Sequence, residues 1–390
     1  MCFISNITSN CSNKFKRLLE LHHVFIYTIF PEIKTPGQGA MRIVQLFLMP
    51  GIFLAVLVLG VPLNIISLWV LSRRLARSNR STLFLHNLAL ADISWLMALP
   101  FLIQFHLSGM EWSLGAPFCK LIRMLYHNYF YLSIFFVTCV SVDRYLAIVH
   151  PVHSPVLLTR QRAITLCITA WVFAIVMSIP VAQLTYVSNC QSDNKTVCSM
   201  YIFMGTVNHN LLYSLCCTCV GFLIPFTVLS YCYIRSVCQL RRRVDPRLRG
   251  LACELGVAMV LFGLFYLPYH VSRNMAIVMP SLAPDNPSAW EVADLVFSLD
   301  MCVCSFTSCT NPLFSCFVGK TRRELWSTLT KLYNPVLQCP LVVIWTRLIM
   351  SHCSFFLSLF FIYIYFFFLC LWTFKLQCLK DISYILLLCG

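Results

Sequence analysis

Charged residues are scarce in this sequence of 390 residues. Asp, Glu, Lys and Arg together make up 11% of the chain, whereas about 25% is usual for a soluble domain. Hydrophobic residues make up 59%, and 31 Phe and 8 Trp are among them. This composition excludes an ordinary soluble domain and indicates that lipid surrounds most of the chain.

Other absences narrow the function further. The net charge is +15, but the basic residues stand in short runs between apolar segments, as in cytoplasmic loops. The 22 Cys lie mostly in apolar segments and show no zinc-ligand spacing with His on an accessible loop. The sequence has no nucleophile–base pattern, no phosphate-binding loop and no internal repeat. We therefore expect no nucleic-acid partner, no metal centre and no enzyme activity, and a transporter is disfavoured.

Seven apolar segments are long enough to cross a lipid bilayer, for which about 20 residues suffice. They lie at residues 44–71, 82–107, 117–149, 162–186, 205–239, 250–279 and 290–317. Basic residues follow the first, third, fifth and seventh segments, so we expect the N-terminus outside the cell. The sequence predicts an all-α seven-transmembrane helix bundle in the plasma membrane, with glycosylation at the outer sequons of Asn6, Asn10 and Asn194. Residues 22–31 are too short for a signal peptide, so the first span is expected to direct insertion.

Polar residues inside the spans mark function by default, because lipid penalises them. Asp92 lies in the middle of the second span, with Asn64 and Asn311 as plausible partners on the first and seventh. The pattern fits a small-ion site that joins three helices, and it fits equally a hydrogen-bonded structural acid. Asp143-Arg144-Tyr145 closes the third span, where a charged pair is also able to snorkel into the headgroups.

Proline occurs in three of the later spans, at Pro225, Pro268 and Pro312. Each frees a backbone carbonyl, which membrane helices tolerate if a neighbouring group bonds it. Three kinked helices around a shared polar core favour a bundle that rearranges, although a rigid bundle is also able to carry them.

Basic residues recur in the outer halves of the third and sixth spans. Arg123 and His127 are four residues apart and His270 and Arg273 three apart, so each pair shares one helix face. Together they predict a cationic site with fork-shaped donors for a carboxylate or phosphate, and Tyr126 is included in the ligand set. In the alternative, the arginines pair with acids of the seventh span, namely Glu291, Asp294 or Asp300.

Cys119 opens the third span, and Cys190 and Cys198 flank the loop after the fourth. An extracellular loop is oxidising, so we expect one disulfide bond from Cys119. Cys198 is preferred because the chain runs directly from it to the fifth span, and Cys190 stays open as the alternative.

An ordered set of motifs resembles the fingerprint of rhodopsin-like G-protein-coupled receptors across residues 44–333. The set comprises Asn64, Asp92 in NLALAD, Trp112 with Cys119, DRY at 143–145, Trp171, Pro225 with Tyr233, FxxxYLPYH at 262–270, and NP at 311–312. The resemblance implies that Asp92, Ser133 and Asn311 bind a sodium ion and that Cys119 pairs with Cys198. It also implies that Arg144 holds the inactive state and then meets a heterotrimeric G protein, with Asp143, Tyr145, Tyr233, Tyr266, Pro268 and Pro312 taking part in activation.

Within the class, the chain is similar to the purinergic-type branch, which includes nucleotide receptors and receptors for small carboxylates. EWSLGAPFCKLIR (111–123), FVTCVSVDRYLAIVHP (136–151), NHNLLYSLCCTCVGFLIP (208–225) and PYHVSRN (268–274) carry this similarity. The last two segments look most like succinate receptors, in which Arg123, His127 and Arg273 coincide with anion-binding positions.

The chain departs from the branch at three positions. Met301 stands where a further Arg or Lys is usual, which lowers the positive charge offered to a dianion. Ser315 stands where a tyrosine is usual three residues after Pro312, and Tyr266 replaces the more common Trp or Phe. Ser315 favours the alternative of a binding or scavenger protein that does not signal.

The expected domain plan is an extracellular N-terminus at residues 1–43, the receptor domain at 44–317 and an amphipathic cytoplasmic helix at 318–334. Residues 335–390 form an atypical hydrophobic tail, whose aromatic low complexity favours a mis-joined gene model or splice variant. The function predicted is a receptor that senses a small extracellular anion, a dicarboxylate such as succinate first, and activates a heterotrimeric G protein. An extracellular nucleotide is the alternative ligand, and no cofactor is expected apart from the sodium ion.

Overall fold

Seven helices of membrane-spanning length form the described part of the chain, which confirms the predicted all-α bundle. The computed structural model describes residues 44–75, 80–185, 187–190, 195–198, 207–240, 246–284 and 286–316. The predictions for residues 1–43, for an amphipathic helix at 318–334 and for the tail at 335–390 lie outside the described residues. So do the sequons of Asn6, Asn10 and Asn194.

The spans agree with the predicted segments to within a few residues at most ends. In chain order their helices are Val44–Leu48 (a π-helical turn) with Met49–Leu75; Arg80–Leu96 with Leu99–Leu107; Gly115–Val149; Arg160–Leu184; Val207–Thr218, Cys219–Leu223 (a π-helical turn) and Ile224–Leu240; Pro246–Leu282; and Pro287–Ser305 with Thr307–Cys316. A one-turn helix, Ser154–Leu157, lies between the third and fourth spans. These seven groups are called the first to seventh spans below.

The third span is enclosed by the others, whereas the outward faces of several spans are apolar and exposed. Every side chain from Tyr129 to Leu132 is buried, so this stretch contacts protein on all sides. Trp69, Ile168 and Ile234, on the first, fourth and fifth spans, expose 46%, 60% and 57% of their surface. A surface of this kind is stable against lipid, since a helix satisfies most of its backbone groups internally.

Proline shapes the fifth and seventh spans. The π-helical turn Cys219–Leu223 ends two residues before Pro225, where the missing N–H interrupts the helical hydrogen bonds. In the seventh span, Pro312 leaves the carbonyl of Ser308 without its helical donor, and Asn64 Nδ2 donates to that oxygen at 2.7 Å. A neighbouring helix therefore bonds the carbonyl that Pro312 frees, as the prolines led us to expect.

A short hairpin lies between the fourth and fifth spans, and the sequence did not predict it. Its antiparallel strands are Val187–Cys190 and Lys195–Cys198, with Val187 opposite Cys198. Cys198 forms a disulfide bond with Cys119, which confirms the preferred pairing over Cys190. The N–H of Trp112 donates to Thr196 O at 2.8 Å, so the loop after the second span is bonded to the same hairpin.

Candidate ligand pocket and signalling core

The third and sixth spans bring four basic side chains into one buried cluster. Arg123 and His127 expose 6% and 5% of their surface, and His270 and Arg273 expose 1% each. His127 lies within electrostatic range of the other three. The two helix-face patterns predicted from spacing therefore converge, and we call these four residues the basic cluster.

His127 is bonded to the protein through both ring nitrogens. Its Nδ1 lies 3.1 Å from Ser178 Oγ on the fourth span, and its Nε2 lies 2.8 Å from the hydroxyl of Tyr213 on the fifth. The Tyr213 hydroxyl also donates to Met177 O at 2.7 Å. His127 thus holds the third, fourth and fifth spans together, a role that its sequence position did not reveal.

Tyrosine hydroxyls and rings surround Arg273. Its Nη1 donates to the hydroxyl of Tyr131 at 3.1 Å, and its guanidinium carbon lies 5.6 Å from the centre of the Tyr213 ring. Sequence reasoning missed both tyrosines. Tyr131 follows His127 by four residues and so shares its helix face, a signal that was available; Tyr213 carried no comparable signal.

Aromatic side chains pack against His270 of the basic cluster and against Tyr126. His270 stacks on Phe222 with ring centres 4.9 Å apart, and its Nδ1 lies 3.2 Å from Thr218 Oγ1. Tyr126 packs against Trp95 of the second span at 4.9 Å and faces Tyr269 of the sixth at 6.4 Å. The walls around the basic cluster are therefore aromatic and mostly apolar.

The seventh span contributes a buried Met301 in place of a cation. The acids named above as alternative partners of the arginines, Glu291, Asp294 and Asp300, also lie on this span, and Glu291 and Asp300 are buried.

Deeper in the bundle, Asp92, Ser133 and Asn311 form a second polar cluster. Asn311 Nδ2 donates to Asp92 Oδ1 and to Ser133 Oγ, both at 2.9 Å, and all three residues are buried. Asp92 Oδ2 accepts no hydrogen bond from the described residues. Asn64, expected as a partner of Asp92, donates instead to the carbonyls of Gly60 and Ser308.

Near the C-terminal end of the third span, Asp143 is held by the second span. Arg80 Nε lies 3.2 Å from Asp143 Oδ1, and Ser81 donates a hydrogen bond to the same carboxylate. Arg80 also donates to the carbonyls of Ser154 and Leu158 in the loop between the third and fourth spans. Nothing in the sequence indicated this clamp, because Arg80 stands in a basic run typical of any cytoplasmic loop.

Arg144 borders a narrow, mainly apolar cavity between the second, third and sixth spans. The cavity is lined by Leu85, Leu88, Val137, Val140, Ser141, Arg144, Leu255 and Ala258.

Tyr145 lies beside His150, and Tyr233 packs on the apolar pair of Ile148 and Leu255. Pro268 lies inside the sixth span, two residues after the buried Tyr266. The described residues include no group of three or more His, Cys, Asp or Glu suited to a metal ion.

A family model described as "7 transmembrane receptor (rhodopsin family)" matches residues 63–314 of the chain. The chain belongs to this family. Its members are signalling receptors, and the seven spans make this receptor a multi-pass membrane protein.

Individual relatives place the receptor near the purinergic-type branch. It is 29% identical to Succinate receptor 1 of Rattus norvegicus over 252 residues, which are 63% of this chain and 78% of the relative. It is 30% identical to the human Uracil nucleotide/cysteinyl leukotriene receptor over 264 residues, 67% of this chain and 70% of the relative. With a human purinoceptor it shares 31% identity over 244 residues, 60% and 73% of the two chains.

Proposed function

We propose that this receptor lies in the plasma membrane with its N-terminus outside, binds a small extracellular organic anion at the basic cluster and activates a heterotrimeric G protein. The observation that carries the proposal is the convergence of two arginines and two histidines, all buried, on facing helices. Buried guanidinium groups are stabilised by an anion, and their forks match carboxylate geometry.

A dicarboxylate such as succinate is the first ligand class. Arg123 and Arg273 stand on different spans, so a molecule with two carboxylates offers one partner to each fork. The relatedness to a succinate receptor supports the same class. A bridging ligand shifts the receptor's population only if it binds one arrangement of the third and sixth spans better than the other. Outward movement of the sixth span would then open the apolar cavity beside Arg144 to the G protein.

An extracellular nucleotide is the second ligand class. The phosphates would meet the same arginines, and the base would lie against the aromatic wall formed by Tyr213, Tyr269 and Phe222. The relatedness to a human purinoceptor favours it, and the lost cation at Met301 argues against a highly charged triphosphate.

The test is a ligand panel on the full chain, with calcium mobilisation or nucleotide exchange as the readout. Dicarboxylates are expected to elicit a response, and Arg123→Ala or Arg273→Ala to lower potency at least about 30-fold. Lys120→Ala is the matched control, because Lys120 is an exposed basic residue on the same helix as Arg123. Full potency in both arginine variants at normal surface expression would show that the anion site is wrong.

Two other outcomes separate the alternatives. Responses to adenine or uracil nucleotides at lower concentrations than to dicarboxylates would select the nucleotide class. Binding of the anion without G-protein activation, with activation restored by Ser315→Tyr, would select the non-signalling binding protein.

We further propose that Asp92 and Ser133, oriented by Asn311, hold a sodium ion. The Asp92 Oδ2 atom, which accepts no hydrogen bond from the described residues, and the Ser133 hydroxyl are the hard oxygen ligands that such a cation prefers. The ion would supply the positive charge that a carboxylate buried in the bundle requires.

A further inference from the structure

Tyr266 of the sixth span is linked by hydrogen bonds to the buried acid of the second. Its hydroxyl lies 2.8 Å from Ser133 Oγ, and Ser133 Oγ accepts a bond from Asn311 Nδ2 at 2.9 Å. The same amide group donates to Asp92 Oδ1 at 2.9 Å. The chain of bonds therefore runs through the sixth, third, seventh and second spans, and none of its four side chains is more than 3% exposed.

The number of protons and lone pairs on Ser133 gives Tyr266 a definite role. A serine hydroxyl has one proton and two lone pairs, and Asn311 uses one lone pair. A cation at Asp92 would use the second, so the Ser133 proton has to point away from the cation. The Tyr266 oxygen is at the right distance to accept that proton. Phe has no acceptor and the Trp indole only donates, so neither residue replaces this function.

We propose that Tyr266 is a positioning residue of the sodium site, which directs a Ser133 lone pair towards the cation and thereby couples cation binding to the position of the sixth span. This inference rests on the sodium site proposed above and is independent of the anion ligand. An outward movement of the sixth span would break the bond between Tyr266 and Ser133, so a bound cation would favour the arrangement described here.

The test is thermal unfolding of the purified full-length receptor in lipid nanodiscs. Sodium chloride is titrated against choline chloride at constant ionic strength, and the sodium concentration at half of the maximal rise in Tm is recorded. For Tyr266→Phe we expect this midpoint to lie about 2- to 10-fold higher than in the parent, the range that one hydrogen bond provides. A packing role alone would lower Tm at every sodium concentration and leave the midpoint in place.

Three further variants make the result specific. Tyr266→Trp keeps a large ring without an acceptor and is expected to shift the midpoint in the same direction, which covers poor folding of Tyr266→Phe. Tyr231→Phe removes the same hydroxyl from a side chain that is 55% exposed, and its midpoint is expected to match the parent. Asp92→Asn is expected to abolish the sodium response.

Two outcomes would overturn the inference, and they differ. Parental midpoints in both Tyr266 variants, together with a lost response in Asp92→Asn, would leave the sodium site standing without Tyr266. A parent receptor whose Tm does not respond to sodium would overturn the sodium site and the role of Tyr266 together.

Discussion

Asn64 of the first span donates a hydrogen bond to the carbonyl oxygen of Ser308 on the seventh, 2.7 Å away. Pro312, four residues further along, has no N–H to offer that carbonyl. The first span thus supplies the donor that proline removes from the seventh. A buried carbonyl without a donor is costly in a membrane, so this contact stabilises the bundle beside the Asp92 cluster.

Removing the Asn64 amide should therefore destabilise the receptor. We expect Asn64→Leu to lower the free energy of unfolding by about 1–3 kcal/mol, because the Ser308 carbonyl loses its donor. Thermal unfolding in nanodiscs measures the change. In the double variant with Pro312→Ala, the alanine N–H is able to bond Ser308, so the loss should be smaller than the sum of the single losses. Additive losses would contradict this explanation.

The close approach of the fifth span to the third should depend on Gly221. A Cβ atom at this position would lie far inside contact distance of Cε1 of Tyr131. We expect Gly221→Ala to destabilise the receptor by about 1–3 kcal/mol through overpacking. Gly51→Ala is the matched control, since nothing lies within 4 Å of its Cβ position, and it should raise stability by up to about 1 kcal/mol. Equal stability of the two variants would count against the packing described here.

The disulfide bond between Cys119 and Cys198 predicts that substitutions of three cysteines affect stability differently. Cys119→Ser and Cys198→Ser should each lower the free energy of unfolding by about 2–4 kcal/mol, a typical contribution of one disulfide bond. The double variant should lower it no further. Surface expression and Tm are the measurements. Cys190→Ser should match the parent because Cys119 is bonded to Cys198. A loss in Cys190→Ser equal to that in Cys198→Ser would argue for a different pairing.

The clamp formed by Arg80 and Asp143 should be visible in a double-variant cycle. We expect Arg80→Gln and Asp143→Asn to be coupled by about 1 kcal/mol, since the Arg80 side chain is 20% exposed and water weakens the ion pair. Arg80→Gln should lower the free energy of unfolding more than Asp143→Asn does, because Arg80 also donates hydrogen bonds to the carbonyls of Ser154 and Leu158. Arg160→Gln, at an exposed position, is the control. Independent effects of Arg80 and Asp143 on Tm would contradict the clamp.

Much of the fold follows from local properties of the chain. Span length, basic loops and the preference for the disulfide bond to Cys198 need only hydrophobicity, charge and order along the chain. The pairing of Asp92 with Asn311 was also predictable, because a buried carboxylate has few possible partners in a sequence so poor in polar span residues.

Helix periodicity predicted how the four residues of the basic cluster share helix faces. It placed Arg123 with His127 and His270 with Arg273, because neighbours on one helix face are fixed by the 3.6-residue repeat. Tyr131 was missed although it shares the helix face of His127. Tyr213 on the fifth span was missed because the relative rotation of two packed helices is not encoded in the periodicity of either one.

The sequence by itself determined which segments cross the membrane, which polar residues they carry and which faces those residues share. Tertiary structure alone decided that Asn64 bonds Ser308, that Arg80 holds Asp143 and that Tyr266 reaches Ser133. The physical reason is that a side chain in lipid or in a helical core has to satisfy its polar atoms. Which group does so depends on how distant helices are packed, rotated and shifted along one another.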